Sequence, residues 1–341
     1  MKVLTFVIPA YNSENFLDKG IPTMLVPEIM DKLEIIIVND GSTDGTAQAA
    51  QKYCAQYPDT VRLISQVNKG HGGALNTGLE AAQGKYVKVI DADDWVVTEN
   101  LPAFIEALEH CESDVVLTHH HTIDVGTGEI KKWMNYPPEF ARAYVFEEIM
   151  ADWRSFDRSL TFHGITYRTD FYHEHGHQLL EHVFYEDHEY ATYPCSKAKS
   201  VTPIDLFIYE YRIGDVNQSV SNANQLKRIG HTEAVICRMV EEYQKLPLGG
   251  GKEYAAMKIQ GLMLSYLTTA LLVGTDKKAG RQLAAQRMEE LKKNAPRAYE
   301  LALNKYRVFV LLNHMGIGKK TWDKILESSI YNKIRKNHSF D

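Results

Sequence analysis

The stretch VKVIDADDW, Val87–Trp95, drives an apolar run straight into three carboxylates, Asp91, Asp93 and Asp94, before turning apolar again at Trp95. Like charges this close repel, and burying them is costly unless a positive group answers them. Lys88 lies on the apolar side of the stretch, and no other Lys or Arg follows before the far side of the next helix. Nothing local neutralises the cluster. Working outward, the same arrangement recurs. VLTFVIP (3–9) leads into PAYN, EIIIVND (34–40) into NDGSTDGT, VRLISQ (61–66) into NKGHGG, and YVKVID (86–91) into DADD, with DVVLTH (114–119) following. Helical segments fall between them, near 14–31, 44–57, 72–83 and 99–110. Near-continuous apolar strands alternating with helices predict an α/β fold with a mainly parallel sheet covered on both faces. Such sheets bind ligands outside the carboxyl ends of their strands. Here polar loops gather at one edge.

A chain of 341 residues with 44% hydrophobic and 24% charged residues has a soluble globular composition. The net charge of −6 argues against a nucleic-acid partner, which would call for a basic face. Positive charge is concentrated at the end, since residues 296–341 hold nine Lys or Arg against four Asp or Glu. A basic end on an acidic body is a solvated helix face or a contact for anionic lipid at the inner membrane surface. Cys54, Cys111, Cys195 and Cys237 are widely spaced and form no Cys-x-x-Cys pair, as expected of reduced thiols in the cytoplasm. The apolar opening is too short for a signal peptide and reads as a first strand ending at a proline. The longest uncharged run, Ile259–Gly274, has 16 residues, short of a membrane span, and reads as a buried core helix.

Residues 121–221 are less regular, with a hairpin expected at VGTGE (125–129), strands near 161–167 and 204–214, and a helix near 187–195. From about 222 only helices are expected, near 223–245, 252–274, 277–294 and 296–306. The predicted organisation is therefore a domain over 1–221 and a helical region over 222–341.

Asp-x-Asp at a strand end suits a hard divalent cation, which takes oxygen ligands from one or two carboxylates, phosphates and water. The cation would then be the missing positive partner; the bland alternative is a solvated turn capping the next helix. In the second loop, Gly41 and Gly45 permit turns, and Ser42, Thr43 or Asp44 can cap the helix. Asp40 can accept a ring N–H from a base such as uracil, or form an ordinary Asx turn. A dinucleotide fingerprint is absent after the first strand, which runs into Pro9-Ala10-Tyr11-Asn12, and no P-loop motif occurs.

Together PAYN (9–12), VNDGSTDGT (38–46), NKGHGGALNTG (68–78), DADD (91–94) and YEDHEY (185–190) resemble the inverting family 2 glycosyltransferases of GT-A fold. The resemblance covers about residues 1–221 and implies that 1–120 bind the donor and 121–221 shape the acceptor side. It implies transfer of a sugar from a nucleoside-diphosphate sugar, most often a UDP-sugar, to a hydroxyl of a glycan or lipid-linked acceptor in polysaccharide synthesis, with Mn²⁺ or Mg²⁺ as cofactor. Pro9, Tyr11 and Asp40 would hold the base; Asn68, Lys69, Gly70 and Asn76 would close over base and ribose. The family's A-R-N stretch is Ala74-Leu75-Asn76 here, without the Arg. Asp91 would face the ribose or the metal, Asp93 would bind the metal, and Asp94 would contact the sugar or support the site. Asp187 of the Glu186-Asp187 pair would be the general base, with Glu186 beside it. Arg212 would bring positive charge to the diphosphate, and Gln218 and Ser219 polar contacts.

Two other motifs compete for attention. His173-Glu174-His175-Gly176-His177 formally matches the zinc-peptidase motif H-E-x-x-H. Gly176 would end that helix in a left-handed conformation, and no third ligand follows at the expected spacing. His119, His120 and His121 alternate across a strand and cannot share one metal without strain. A non-catalytic sugar-nucleotide sensor or scaffold is the remaining reading, and retention of both Asp93 and Asp187 speaks against it. The helical region is open to acceptor recognition, homo-oligomer formation or membrane contact.

Overall fold

The structure, a computed structural model, describes residues 2–214 and 222–327. The chain separates into two compact units, Met1–Gln218 with Leu246–Ala255, and Ser219–Lys245 with Ala256–Asp341. The first unit thus takes back a segment that the sequence assigned to the helical region. Its ties are specific: the Gly250 N–H donates to Glu147 Oε1 and the buried Tyr254 hydroxyl donates to the Ala191 carbonyl.

The first unit is built on a nine-stranded sheet. Strands β1 (Leu4–Ala10), β2 (Leu33–Asp40), β3 (Val61–Gln66) and β4 (Tyr86–Val89) alternate with helices α1 (Glu14–Met24), α2 (Thr46–Gln56) and α3 (Gly70–Ala81). They pair in parallel in the order β3-β2-β1-β4. β5 (Trp95–Val96), α4 (Leu101–His110), β6 (Val115–Asp124), β7 (Ile130–Trp133), α5 (Phe146–Ala151), β8 (Ile165–Arg168), α6 (Thr169–His175), α7 (Asp187–Lys197) and β9 (Val201–Ile213) complete the unit. This second half is mixed rather than parallel. β8 lies antiparallel to both β4 and β6, β9 runs parallel to β6, and β5 antiparallel to β9. The expected hairpin is β6–β7, closed through Gly128 at φ +74°.

Alternation along the strands sorts two cores. Leu4, Phe6 and Ile8 of β1 face the buried side chains of α1 and α4, such as Leu17, Ile21, Phe104 and Leu108; Val7 faces Leu75 and Leu79 of α3. Pro9 is tolerated because it lies beyond the last β1–β4 pair, Val7↔Val89. The carboxyl ends of β1 to β4 consequently open together.

The second unit contains α8 (Asn222–Lys227), α9 (Ile229–Lys245), most of α10 (Gly250–Thr268), α11 (Lys277–Asn294), α12 (Pro296–His314) and α13 (Lys319–Glu327). Asp276 caps α11 by accepting the N–H groups of Lys278 and Ala279. α12 begins with Pro296 at its first position and continues past the expected end near 306, because no breaker occurs before Gly316. α13 was not foreseen. α10 continues as a π-helical turn to Val273, giving a helix of 24 residues that by length and composition is able to cross a membrane. Ile259, Leu262, Met263, Tyr266 and Leu267 along it are buried, as the core-helix reading expects.

Candidate active site

After β4 the chain makes a tight turn in which the Asp94 N–H donates to the Asp91 carbonyl at 3.0 Å. Asp94 is 2% exposed, and both its oxygens are spent on β9: Tyr209 Oη donates to one at 2.7 Å and the Arg212 N–H to the other at 2.8 Å. Burial, then the charges of Asp91 and Asp93, push its pKa well above the ordinary range. Asp94 therefore supports the turn. Asp93 is also raised, by burial and then by Asp91. Arg212 Nη1 donates to the Asp93 carbonyl at 3.3 Å, and its guanidinium lies over the rings of Phe16 and Trp95. That places the charge of Arg212 at the carboxylate turn. Gln218 and Ser219 lie outside the described residues.

The cation nearest in sequence is not the one that answers the carboxylates. Lys88 is fully buried and donates to the carbonyls of His163 and Ile165 instead. The partner is His71, in the first turn of α3. Its Nε2 meets Asp91 Oδ1 at 2.9 Å and its Nδ1 meets Glu186 Oε1 at 2.5 Å. Burial opposes charge on this ring, but Asp91 and Glu186 outweigh it and hold the imidazole protonated well above its usual pKa. Glu186 is 3% exposed and sits at the N-cap of α7, so Asp187 is the first helical residue. Burial, then the charges of Asp94, Asp91, Asp187 and Asp93, push the Tyr211 phenol upward. The two acidic motifs thus converge on one place, although they lie far apart in the chain.

The segment 177–186 is seated on α3. Asn76 Oδ1 accepts the Leu179 N–H and Asn76 Nδ2 donates to the Leu179 carbonyl, the His182 N–H donates to the Lys69 carbonyl, and Lys69 pairs with Glu181 at 3.8 Å. Glycine is required at two contacts: Gly70 has φ +77°, and a Cβ on Gly72 would meet the Leu180 carbonyl oxygen at 2.2 Å. Asn76 thereby anchors the loop through both ends of its amide, beside the Lys69 and Gly70 of the segment in which it was expected to meet the nucleotide. His182 and Tyr185, at φ +57° and +76°, hold left-handed backbone that non-glycine residues rarely adopt, and both lie just before Glu186.

On the other side of the loop cluster, Asp40 is 2% exposed. Its Oδ1 accepts from Gln66 Nε2 and the Lys69 N–H, while Oδ2 is buried without a partner. A buried acceptor left open calls for a donor from outside the chain. Asn68 Nδ2 donates to the Asp40 carbonyl, and the Gly70 N–H donates to Asn68 Oδ1, so these residues shape the Asp40 loop. Pro9 is buried at the end of β1, and Tyr11 just beyond it is 52% exposed. Of the proposed caps, Asp44 takes the Thr46 N–H at the start of α2.

The histidine motifs scatter. His173 Nε2 lies 2.9 Å from the Leu79 carbonyl and His177 Nε2 2.9 Å from Glu189 Oε2, so the two rings serve different partners. α6 does end at His175, but Gly176 is extended at φ −62° rather than left-handed. His119 pairs with Asp205, His120 stacks on Trp133, and His121 stacks on Phe207. Among the described residues no three His, Cys, Asp or Glu side chains form a self-contained metal site. Asp91 and Asp93 do fit a shared one: two hard oxygen donors, with Asp93 destabilised as an anion by burial and by its neighbour, suit a divalent cation completed by phosphate and water. The sequence reading passed over His71 and Tyr209. The one available signal was an unanswered carboxylate cluster beside a histidine in a neighbouring strand-end loop.

Comparison with known proteins bears on the family and the fold. A family model described as glycosyl transferase family 2 matches residues 5–177. An uncharacterized glycosyltransferase of Escherichia coli (strain K12), YibD, is 36% identical over 141 residues, 41% of this chain and 40% of that protein. A chondroitin synthase of Escherichia coli is 33% identical over 136 residues, 40% of this chain and 20% of that protein. The chain thus spans less than two thirds of these relatives. Residues 1–349 of S. aureus TarS, crystallised with UDP-GlcNAc, share the fold with a TM-score of 0.65 at 17% identity, over 93% of each chain.

Proposed function

The chain belongs to glycosyl transferase family 2 and is a glycosyltransferase of GT-A fold, and from that premise we propose that it transfers a sugar from a UDP-sugar to a hydroxyl acceptor, with inversion. The observation that carries this reading is the meeting of the Asp91–Asp94 turn with the Glu186-Asp187 pair, joined through His71 at 2.9 and 2.5 Å. Asp187 takes the proton of the acceptor hydroxyl, whose oxygen bonds to the anomeric carbon as the bond from that carbon to the β-phosphate oxygen breaks. Uridine diphosphate leaves from the opposite face. Asp91 and Asp93 would hold a divalent cation, Mn²⁺ or Mg²⁺, which would supply charge to offset that gathering on the leaving diphosphate. Arg212 adds fixed positive charge at that side, and Asp94 keeps the turn in place. Asp40 Oδ2 accepts the ring N–H of the base, beside Tyr11.

The crystallised complex of TarS with UDP-GlcNAc supports a UDP-linked donor, and the likeness to a chondroitin synthase supports a glycan acceptor in polysaccharide synthesis. Free thiols at Cys54, Cys111, Cys195 and Cys237 support a cytoplasmic location. The test is a thermal-shift panel of nucleotide sugars with and without Mn²⁺, followed by assay of nucleoside diphosphate release. A UDP-sugar should stabilise the wild type, more so with Mn²⁺, and Asp93→Asn should lose the Mn²⁺-dependent part. No stabilisation and no release with any donor would overturn the reading.

A further inference from the structure

We infer that His71 is a positioning residue of the transfer reaction, a two-ended strut that sets the general-base helix at a fixed place relative to the Asp91–Asp93 turn. This rests on the transferase reading above. The geometry is unusual in what it demands. One ring joins Asp91 and Glu186, which lie 20 and 115 positions away in the chain, through opposite nitrogens at 2.9 and 2.5 Å. Asn, Gln or a hydroxyl in its place has too few donors or too short a reach to span both carboxylates. Lys brings charge but a flexible stem.

The surroundings hold the strut in place. Gly70 and Gly72 on either side of His71 let the 180–182 backbone approach to where a Cβ would clash, and the same Gly72 Cβ would come within 3.0 Å of Glu186 Cγ. The bare Gly72 thus leaves room for Glu186 to sit on His71, and the bare Gly70 for the His182 backbone. Since Glu186 is the N-cap and Asp187 the first residue of α7, fixing the one fixes the origin of the other. Asp91 on the far nitrogen belongs to the turn that carries Asp93. A displacement of about 1 Å between a base and the group it serves can cost on the order of 100-fold in rate. His71 guards against that displacement without touching the reacting atoms.

Steady-state kinetics of nucleoside diphosphate release by full-length wild type, His71→Ala and His71→Gln test this, with melting temperature recorded for each. His71→Ala should lose about 100-fold in kcat while the donor KM moves less than about threefold. Added imidazole should restore part of the lost kcat. His71→Gln, which keeps one of the two bonds, should fall between the others and decides the matter if His71→Ala fails to fold. The strut is overturned if both variants keep kcat within about threefold of wild type, or if the loss lies wholly in KM. A wild type that releases nothing from any donor overturns the transferase reading itself, and the strut with it.

Discussion

His71 on α3 and Lys88 on β4 are two basic residues set against the Asp91–Asp94 turn, one in space and one in sequence, and their surroundings treat them in opposite ways. Lys88 lies three residues before Asp91 in the chain, yet it is fully buried, reaches only backbone carbonyls, and burial pulls its pKa down to about 7. His71 comes from helix α3, stands between two carboxylates, and is held protonated against burial. Closeness along the chain did not decide which cation answers the acidic turn. Side-chain direction on β4 did: residues two apart share a face, and Lys88 emerges on the same face as Tyr86, over the Tyr209 ring. The lesson is that a buried charge is a functional group only when it has been given a counter-charge. Otherwise it is a group poised to become neutral.

The sharpest way to break the comparison is to remove a carboxylate from the corner His71 serves. Asp187→Asn should lower kcat by at least about 1000-fold with melting temperature nearly unchanged, because the half-buried Asp187 is needed as the base and not for packing. Lys88→Met at the other cation should leave kcat at pH 7 within about threefold. Full activity in Asp187→Asn would move the base elsewhere.

The second experiment turns on pH. The folded-state pKa of Lys88 is depressed to about 7 from an unfolded value of 10.5. Between those values the unfolded state binds the extra proton, so the cost of burying Lys88 is complete below pH 7 and fades as pH rises toward 10.5. Relative to Lys88→Met, the wild type should therefore gain roughly 2–3 kcal/mol of unfolding free energy between about pH 6 and pH 9. Urea midpoints of both proteins across that range measure it. Parallel curves would show that the ammonium is charged and solvated after all.

What could be read in advance follows the range of the interactions. Strand and helix patterns are local, and the four strand-end loops and the β6–β7 hairpin were legible for that reason. The antiparallel insertion of β8 between β4 and β6 was not, because its short ITYR run carries no direction. Asp91, Asp93 and Asp94 announced a charge problem, but its protein answer lies on α3 and on β9, far away in sequence. Asn76 shows a related limit: its amide holds the Leu179 backbone from both ends, a contact that its place in the motif did not announce. Motifs reveal which residues gather, whereas pairing within the gathering is decided by docking of distant segments.

α7 supplies an internal control, and with it the smallest of the expected effects. Glu186 and Glu189 are one turn apart, both buried, and each meets a histidine. Glu186 shares its histidine with Asp91; Glu189 meets His177, whose Nδ1 is buried without a partner, and His177 packs edge-on against Tyr193. The second pair therefore lies apart from the Asp91 turn, with Glu189 fully buried, and its hydrogen bond contributes to stability alone. Glu189→Gln keeps the shape and weakens that bond, so it should lower stability by about 1–3 kcal/mol and leave kcat and both KM values within about twofold. Glu186→Gln, a change of equal size one turn away, should instead lower kcat more than it lowers the melting temperature. Were the two substitutions to give the same profile, either both pairs would be structural or both would belong to the site, and the distinction between an answered charge and a functional one would fail on this helix.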